Sequence, residues 1–195
     1  MIKADIVADS LSPQGNRLTS LIVVMPRIVL SEFNTHRALS RNSASSRAIP
    51  FKKMVKSVQE NPFIPIAFQK DHKGMQGTEY FTDRKRQDGT NRGEHEWRVQ
   101  LWKQSMDLAI KQATEIHSYD VTKQLCNRLL EPFMYHTVLV SATEWSNFMA
   151  LRDHPDAEIH IQAVARAISK AMEESTPKQL KAGEWHLPMI EIEED

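Results

Sequence analysis

Ser31-Glu32-Phe33-Asn34-Thr35-His36-Arg37-Ala38-Leu39-Ser40-Arg41-Asn42-Ser43-Ala44-Ser45-Ser46-Arg47-Ala48-Ile49-Pro50 carries three arginines, one histidine, two asparagines and five serines in twenty positions. It follows Leu21-Ile22-Val23-Val24-Met25, an apolar run closed by Pro26 that reads as a buried strand. Between positions 27 and 56, seven Lys/Arg stand against one acid, Glu32, in a chain of zero net charge. A positive field is therefore concentrated on one segment. The Ser/Asn run at 42–46 offers hydroxyls and backbone N–H groups of the kind that cradle an anion. Arg47 can hold a phosphate through two parallel bonds. If 35–41 is helical, His36 and Ser40 share one face while Arg37 and Arg41 share the next. The pattern suits a nucleotide site, and a solvated basic loop would have the same composition.

Outward from that stretch, the 195 residues are enough for one domain with a proper core. Hydrophobic residues make up 41% and charged ones 26%, the balance of a soluble globular protein. Lys+Arg and Asp+Glu are equal at 25 each, which argues against a general nucleic-acid coat, since that needs a broad basic footprint. The single Cys126 excludes an internal disulfide framework and fits a reducing compartment. No apolar run reaches the length of a membrane span, and the start lacks the hydrophobic region of a signal peptide. The expected location is the cytoplasm, with no membrane partner.

Along the chain, 3–8 alternates weakly, as an edge strand would. A turn at 12–16 leads into a strand over 18–25. Pro26 suits the first turn of a helix running to Phe33. Pro50 opens a helix over 51–59, and 71–90, rich in glycine and charge, reads as an exposed loop. A long helix follows over 92–117, with Trp97, Leu101, Trp102, Met106, Leu108, Ala109 and Ala113 near helical spacing as its core stripe. Asp120 is placed to cap a helix over 121–130 that Pro132 stops. The stretch 133–142 reads as a second buried strand. Thr143 is placed to cap a helix ending at Arg152. A further helix over 156–174 has Ile161, Val164, Ala165, Ile168 and Met172 as its inner stripe. The tail from 177 is loosely patterned, although Gly183-Glu184-Trp185-His186-Leu187-Pro188 has the aromatic and proline content of an ordered segment.

Competing chemistries have little support. His154 and His160, six apart around Pro155, are poorly spaced for a metal, and no cysteine pair supports zinc. There is no glycine-rich dinucleotide loop and no P-loop. Cys126 lies mid-helix among Leu125, Asn127 and Leu129, which fits a buried structural thiol better than a nucleophile.

The pattern His36-Arg37-x-x-Ser40-x-Asn42-x-x-Ser45-x-Arg47 resembles the signature of the flavin-dependent thymidylate synthases, ThyX: Arg-His-Arg-x-x-Ser-x-Asn-Glu-x-Ser-x-Arg-Tyr. Asn147-Phe148-x-x-Leu151-Arg152 is similar to the family's Asn-x-x-x-x-Arg helix. Arg128-x-x-x-Pro132 resembles the family's Arg-x-x-Leu-Pro segment. The resemblance spans roughly positions 18–174. It implies an α+β fold, a twisted and mostly antiparallel sheet flanked by helices, in one domain over 1–195. It also implies a homo-oligomer, a tetramer, with sites built between subunits.

The activity so implied is reductive methylation of dUMP to dTMP, with FAD as cofactor, NADPH as reductant and methylenetetrahydrofolate as carbon donor. The absence of an evident catalytic cysteine agrees with a route in which the cofactor carries the chemistry. By the same resemblance, His36, Arg37, Ser40, Asn42 and Asn147 bind cofactor, with His36 and Arg37 against flavin and folate. Ser45, Ser46, Arg47, Arg128 and Arg152 bind the nucleotide, Arg128 reaching it from a neighbouring subunit. Arg152 and Ser45 are the residues expected to act in catalysis, and no metal is implied. An arginine at a helix end is otherwise a common dipole partner.

Several positions depart from the family pattern. Thr35 replaces the first arginine, Ser43 the glutamate, Ala48 the tyrosine, and Glu131 stands where leucine is usual. The Ser43 change keeps open a relative that modifies dCMP or transfers a hydroxymethyl group. A non-catalytic nucleotide-binding homologue is the more distant alternative. Members of the family also carry a His-x-Ser-Pro-Phe-Glu-His segment before the flavin strand, which helps hold FAD, and it does not occur here. The expectation is that this chain lacks part of the family's cofactor grip, so that FAD binds weakly unless another segment or partner supplies it.

Overall fold

The computed structural model describes residues 1–74, 77, 79–81 and 93–190. Most of the loop expected at 71–90, and the acidic stretch 191–195, lie outside the described residues.

Five strands form one sheet in the order β3-β4-β2-β1-β5. They are β1 (Lys3–Leu11), β2 (Arg17–Pro26), β3 (Ser40–Ser43), β4 (Tyr135–Ala142) and β5 (Lys178–Gln179). Every pairing is antiparallel except the short β1–β5 contact. The β1–β2 hairpin turns at Gly15, whose φ of 86° is a left-handed conformation that glycine adopts without steric cost. The α+β architecture with a mostly antiparallel sheet is the one the sequence implied.

The alternation in β2 builds the core. Leu21, Val23 and Met25 are fully buried and meet Val138, Val140 and Ala142 of β4 on the same face. Helix α6 (Ile159–Glu173) closes that face with Ile161, Val164, Ala165 and Ile168. Burying one such side chain contributes about 1.5–3 kcal/mol. A second cluster joins α2 (Phe51–Glu60) to α3 (Glu94–Ser118) through Phe51, Met54, Val58, Met106 and Ala113.

Several elements differ from their sequence reading. The helix expected from Pro26 is a 3-10 turn over Arg27–Val29 followed by a short α1 (Leu30–Asn34). Pro26 itself still pairs with Tyr135, and the Arg27 N–H donates to Met134 O. Residues 35–41 are not helical. The chain turns after Thr35 and runs as β3 along the open edge of β4, Ser40 opposite Ser141 and Ser43 opposite Val138. His36 and Ser40 therefore share no helical face.

Asp120 caps nothing. It sits at φ 62°, and the Thr122 hydroxyl caps α4 (Lys123–Cys126) instead. The chain then tightens into a 3-10 helix, Asn127–Phe133, because Pro132 has no N–H for an α-helical bond. The Glu144 carboxylate, not Thr143, accepts the Ser146 N–H at the start of α5 (Ser146–Arg152).

On α3 the stripe is only partly inside. Trp102 packs on Phe63 and Phe133 and donates its ring N–H to Phe63 O, whereas Trp97, Leu101 and Leu108 are exposed. The tail is tied down by His186, bonded to the hydroxyls of Ser10 and Ser20. No helix among the described residues is long and apolar enough to cross a membrane.

Candidate functional site

Arg152 ends α5 and lines a pocket of about 630 Å³ together with Glu32, Leu151, His154, Asp156 and Glu158. Its guanidinium is held on two sides: Nε donates to His36 Nε2 at 2.9 Å, and Nη1 lies 3.3 Å from Glu32 Oε2. Glu32 comes from α1 and His36 from the turn after it, so α1, that turn and α5 together aim the fork. Phe148, one helical turn before Arg152, packs edge-on against Phe33 at 5.4 Å and His36 at 4.9 Å. A pinned fork of this kind is a preorganised donor, with part of its hydrogen-bonding edge left for a ligand.

The electrostatics follow from burial. His36 is 6% exposed. Burial, then Arg152 and Arg41, lower its pKa below the ordinary 6.5. Because Nε2 accepts from Arg152, the ring is neutral with its proton on Nδ1. Burial raises the Glu32 carboxyl, Arg152 opposes that, and Glu158 adds to it. Burial also acts to raise Glu158, but bonds from His160 and from backbone N–H groups outweigh it and leave its pKa low. His160 accepts the Ile66 N–H on Nε2, which puts its proton on Nδ1, facing Glu158 Oε1 at 2.5 Å.

A second group forms around the serine loop. Ser45 starts a 3-10 turn, its hydroxyl accepting the Arg47 N–H. Ser46 is buried, with its hydroxyl donated to Glu131. Asn127 donates to Ser46 O at 2.7 Å and Ile49 O at 2.9 Å. Ser45, Arg47 and Arg128 are exposed. Among the described residues, no hydrogen bond or ion pair links this group to the Arg152 pocket.

Arg37, Ser40, Asn42 and Asn147 are also exposed, and their side chains make no hydrogen bond or ion pair to other described residues. Uncommitted polar side chains on an open surface fit a large polar cofactor lying across it. His36 does not share that exposure, because its ring is committed to Arg152. Cys126 is fully buried, its thiol directed at Val121 O.

Sequence reasoning missed the roles of Glu32, Glu131 and the Glu158–His160 pair. Glu32 gave a signal as the one acid in a basic stretch, and Glu131 as a departure from the family pattern.

A pH dependence follows from His36. Well above pH 6.5 the ring is neutral in both folded and unfolded chains. As pH falls below 6.5 the unfolded chain binds the proton first, so stability is lost across the window down to the lowered folded pKa. Burial lowers His136 and His186 in the same direction. Urea midpoints should therefore fall on acidification below 6.5, and His36→Gln should flatten that fall. An equal slope in the two proteins would remove His36 as a contributor.

Residues 16–178 match the Thy1 family, described as thymidylate synthase complementing protein. No match to a curated protein accompanies it. Among solved structures, the chain is similar in fold to a UMP/dUMP methylase, PolB, from Streptomyces cacaoi. Bound with 5-Br UMP, that protein is 14% identical with a TM-score of 0.63, over 89% of each chain. Bound with 5-Br dUMP, it is 12% identical with a TM-score of 0.64, over 89% of this chain and 91% of that one. The family match covers most of the sequence and includes the serine loop, β4 and the Arg152 helix: the chain belongs to the Thy1 family, the thymidylate synthase complementing or ThyX proteins.

Proposed function

We propose that the chain methylates dUMP reductively to dTMP, with Arg152 as the group that holds the pyrimidine base. The observation that carries this is the fork of Arg152, pinned by His36 and Glu32 at the wall of the pocket in a Thy1 family chain. A guanidinium aimed at a uracil carbonyl stabilises the negative charge that builds on the ring as C5 becomes nucleophilic. Pinning prepares that donor before substrate arrives, so little reorganisation is left for the reacting complex. His36 must be neutral to accept from Arg152, which keeps a second positive charge away from the fork. The nucleotides held by the solved structures of similar fold support a pyrimidine substrate.

Arg37, Ser40, Asn42 and Asn147 would hold FAD, which supplies hydride transfer when bound. NADPH would be the reductant and methylenetetrahydrofolate the carbon donor. Ser45 and Arg47 would take the nucleotide phosphate, with Arg128 reaching a neighbouring subunit's nucleotide in a homotetramer. The Ser46 hydroxyl is committed to Glu131 and its carbonyl to Asn127, which leaves its backbone N–H for the substrate role.

One observation favours a second reading. Glu32, Asp156 and Glu158 all line the pocket, and carboxylates accept from an amino group such as cytosine N4. Deoxycytidylate, methylated or hydroxymethylated, is the substrate that would use them. Calorimetric titration separates the two: tighter dUMP than dCMP binding supports the thymidylate reading, and the reverse supports the other. Arg47→Lys should weaken the preferred nucleotide, since an ammonium cannot reproduce the bidentate fork. An unchanged dissociation constant would take Arg47 off the phosphate.

A further inference from the structure

Glu131 replaces the family's leucine in the Arg128-x-x-x-Pro132 segment, and the structure shows where the charge goes. Its Oε1 accepts the Ser46 hydroxyl and lies 3.5 Å from Arg27 Nη2. Both charged side chains are about one-fifth exposed, and Ser46 is 2% exposed. The same short helix sends Asn127 to Ser46 O and Ile49 O, while Lys123 Nζ reaches Ala48 O at 3.1 Å. The turn carrying Ser45 and Arg47 is thus gripped from behind at three carbonyls, those of Ser46, Ala48 and Ile49, and at one side chain.

A carboxylate placed behind an anion site would repel the anion unless neutralised. Arg27 supplies the neutralisation, so Glu131 can take the Ser46 hydroxyl without leaving a net negative charge under the loop. A leucine could accept no such bond. We infer that Glu131, acting through Ser46 and balanced by Arg27, is a positioning residue that fixes the Ser45–Arg47 turn for the nucleotide phosphate. The inference rests on the nucleotide reading proposed above.

The test compares dUMP with deoxyuridine, which lacks the phosphate, by calorimetry on the full chain. Removing the part-buried charge-assisted bond should loosen the turn, so Glu131→Ala should weaken dUMP about tenfold or more and change deoxyuridine little. Glu131→Gln keeps an acceptor for Ser46 and should recover part of the loss. Ser46→Ala should lower dUMP affinity alone, and add little on top of Glu131→Ala, because both remove one interaction. If Glu131→Ala does not fold, Ser46→Ala carries the same comparison.

Unchanged dUMP affinity in the variants, or an equal loss for deoxyuridine, would overturn the positioning role while leaving the nucleotide reading in place. Failure of the unmutated chain to bind dUMP or dCMP would instead remove that reading, and this inference with it.

Discussion

Arg152→Ala is expected to lower turnover of dUMP by about 10²–10³-fold, the usual consequence of removing one preorganised donor from a developing charge. The fold should survive. The Arg152–Glu32 pair is partly exposed, at 23% and 39% of the two side chains, and pairs of that kind contribute about 0–1 kcal/mol. The denaturant midpoint should fall only modestly, by the cost of leaving the His36 acceptor without its donor, about 1–3 kcal/mol, while activity collapses. Arg152→Lys should fail to rescue, because a point charge cannot donate to His36, Glu32 and the base together. Near-normal turnover in either variant would exclude Arg152 from base recognition.

The second large effect is on stability. Phe148 is 2% exposed and packs on the rings of Phe33, His36 and Trp145. It fills the space where α5 meets α1 and the sheet. Phe148→Ala should cost roughly 3–5 kcal/mol, from lost burial and the cavity left behind. Activity should fall as well, because His36, which accepts the Arg152 bond, packs on that ring. Chemical denaturation checks the first and steady-state kinetics the second. A loss below about 1 kcal/mol would mean that the site can collapse around the gap.

The elements legible in the sequence were those whose signal is local. Leu21-Ile22-Val23-Val24-Met25 is an unbroken apolar run closed by Pro26, and β2 lies over it. Ile161, Val164, Ala165 and Ile168 follow the helical period, and α6 buries them. β3 carries no such signal. Ser40-Arg41-Asn42-Ser43 is polar throughout, and it becomes a strand because the edge of β4, nearly a hundred positions away, offers its backbone partners.

The same holds at the site. His36 and Arg152 were each picked out by resemblance, but their hydrogen bond spans 116 positions, and no periodicity encodes it. Glu32 stood out as an isolated acid, yet its partner Arg152 is 120 positions away. Glu131 looked like a departure that weakened a motif, and only the packed structure shows it meeting Ser46 and Arg27. Trp97 illustrates the reverse error: it fits the helical stripe of α3 but lies 56% exposed, because none of the described residues covers that part of the helix.

The central claim is methyl transfer to dUMP at the Arg152 pocket. Its most direct test is the mass of the nucleotide recovered after the purified chain is incubated with dUMP, FAD, NADPH and methylenetetrahydrofolate. The account predicts a product heavier than dUMP by one CH2 unit, formed by the unmutated chain and not by Arg152→Ala. Recovery of dUMP unchanged, with added flavin saturating and the chain folded, would contradict it.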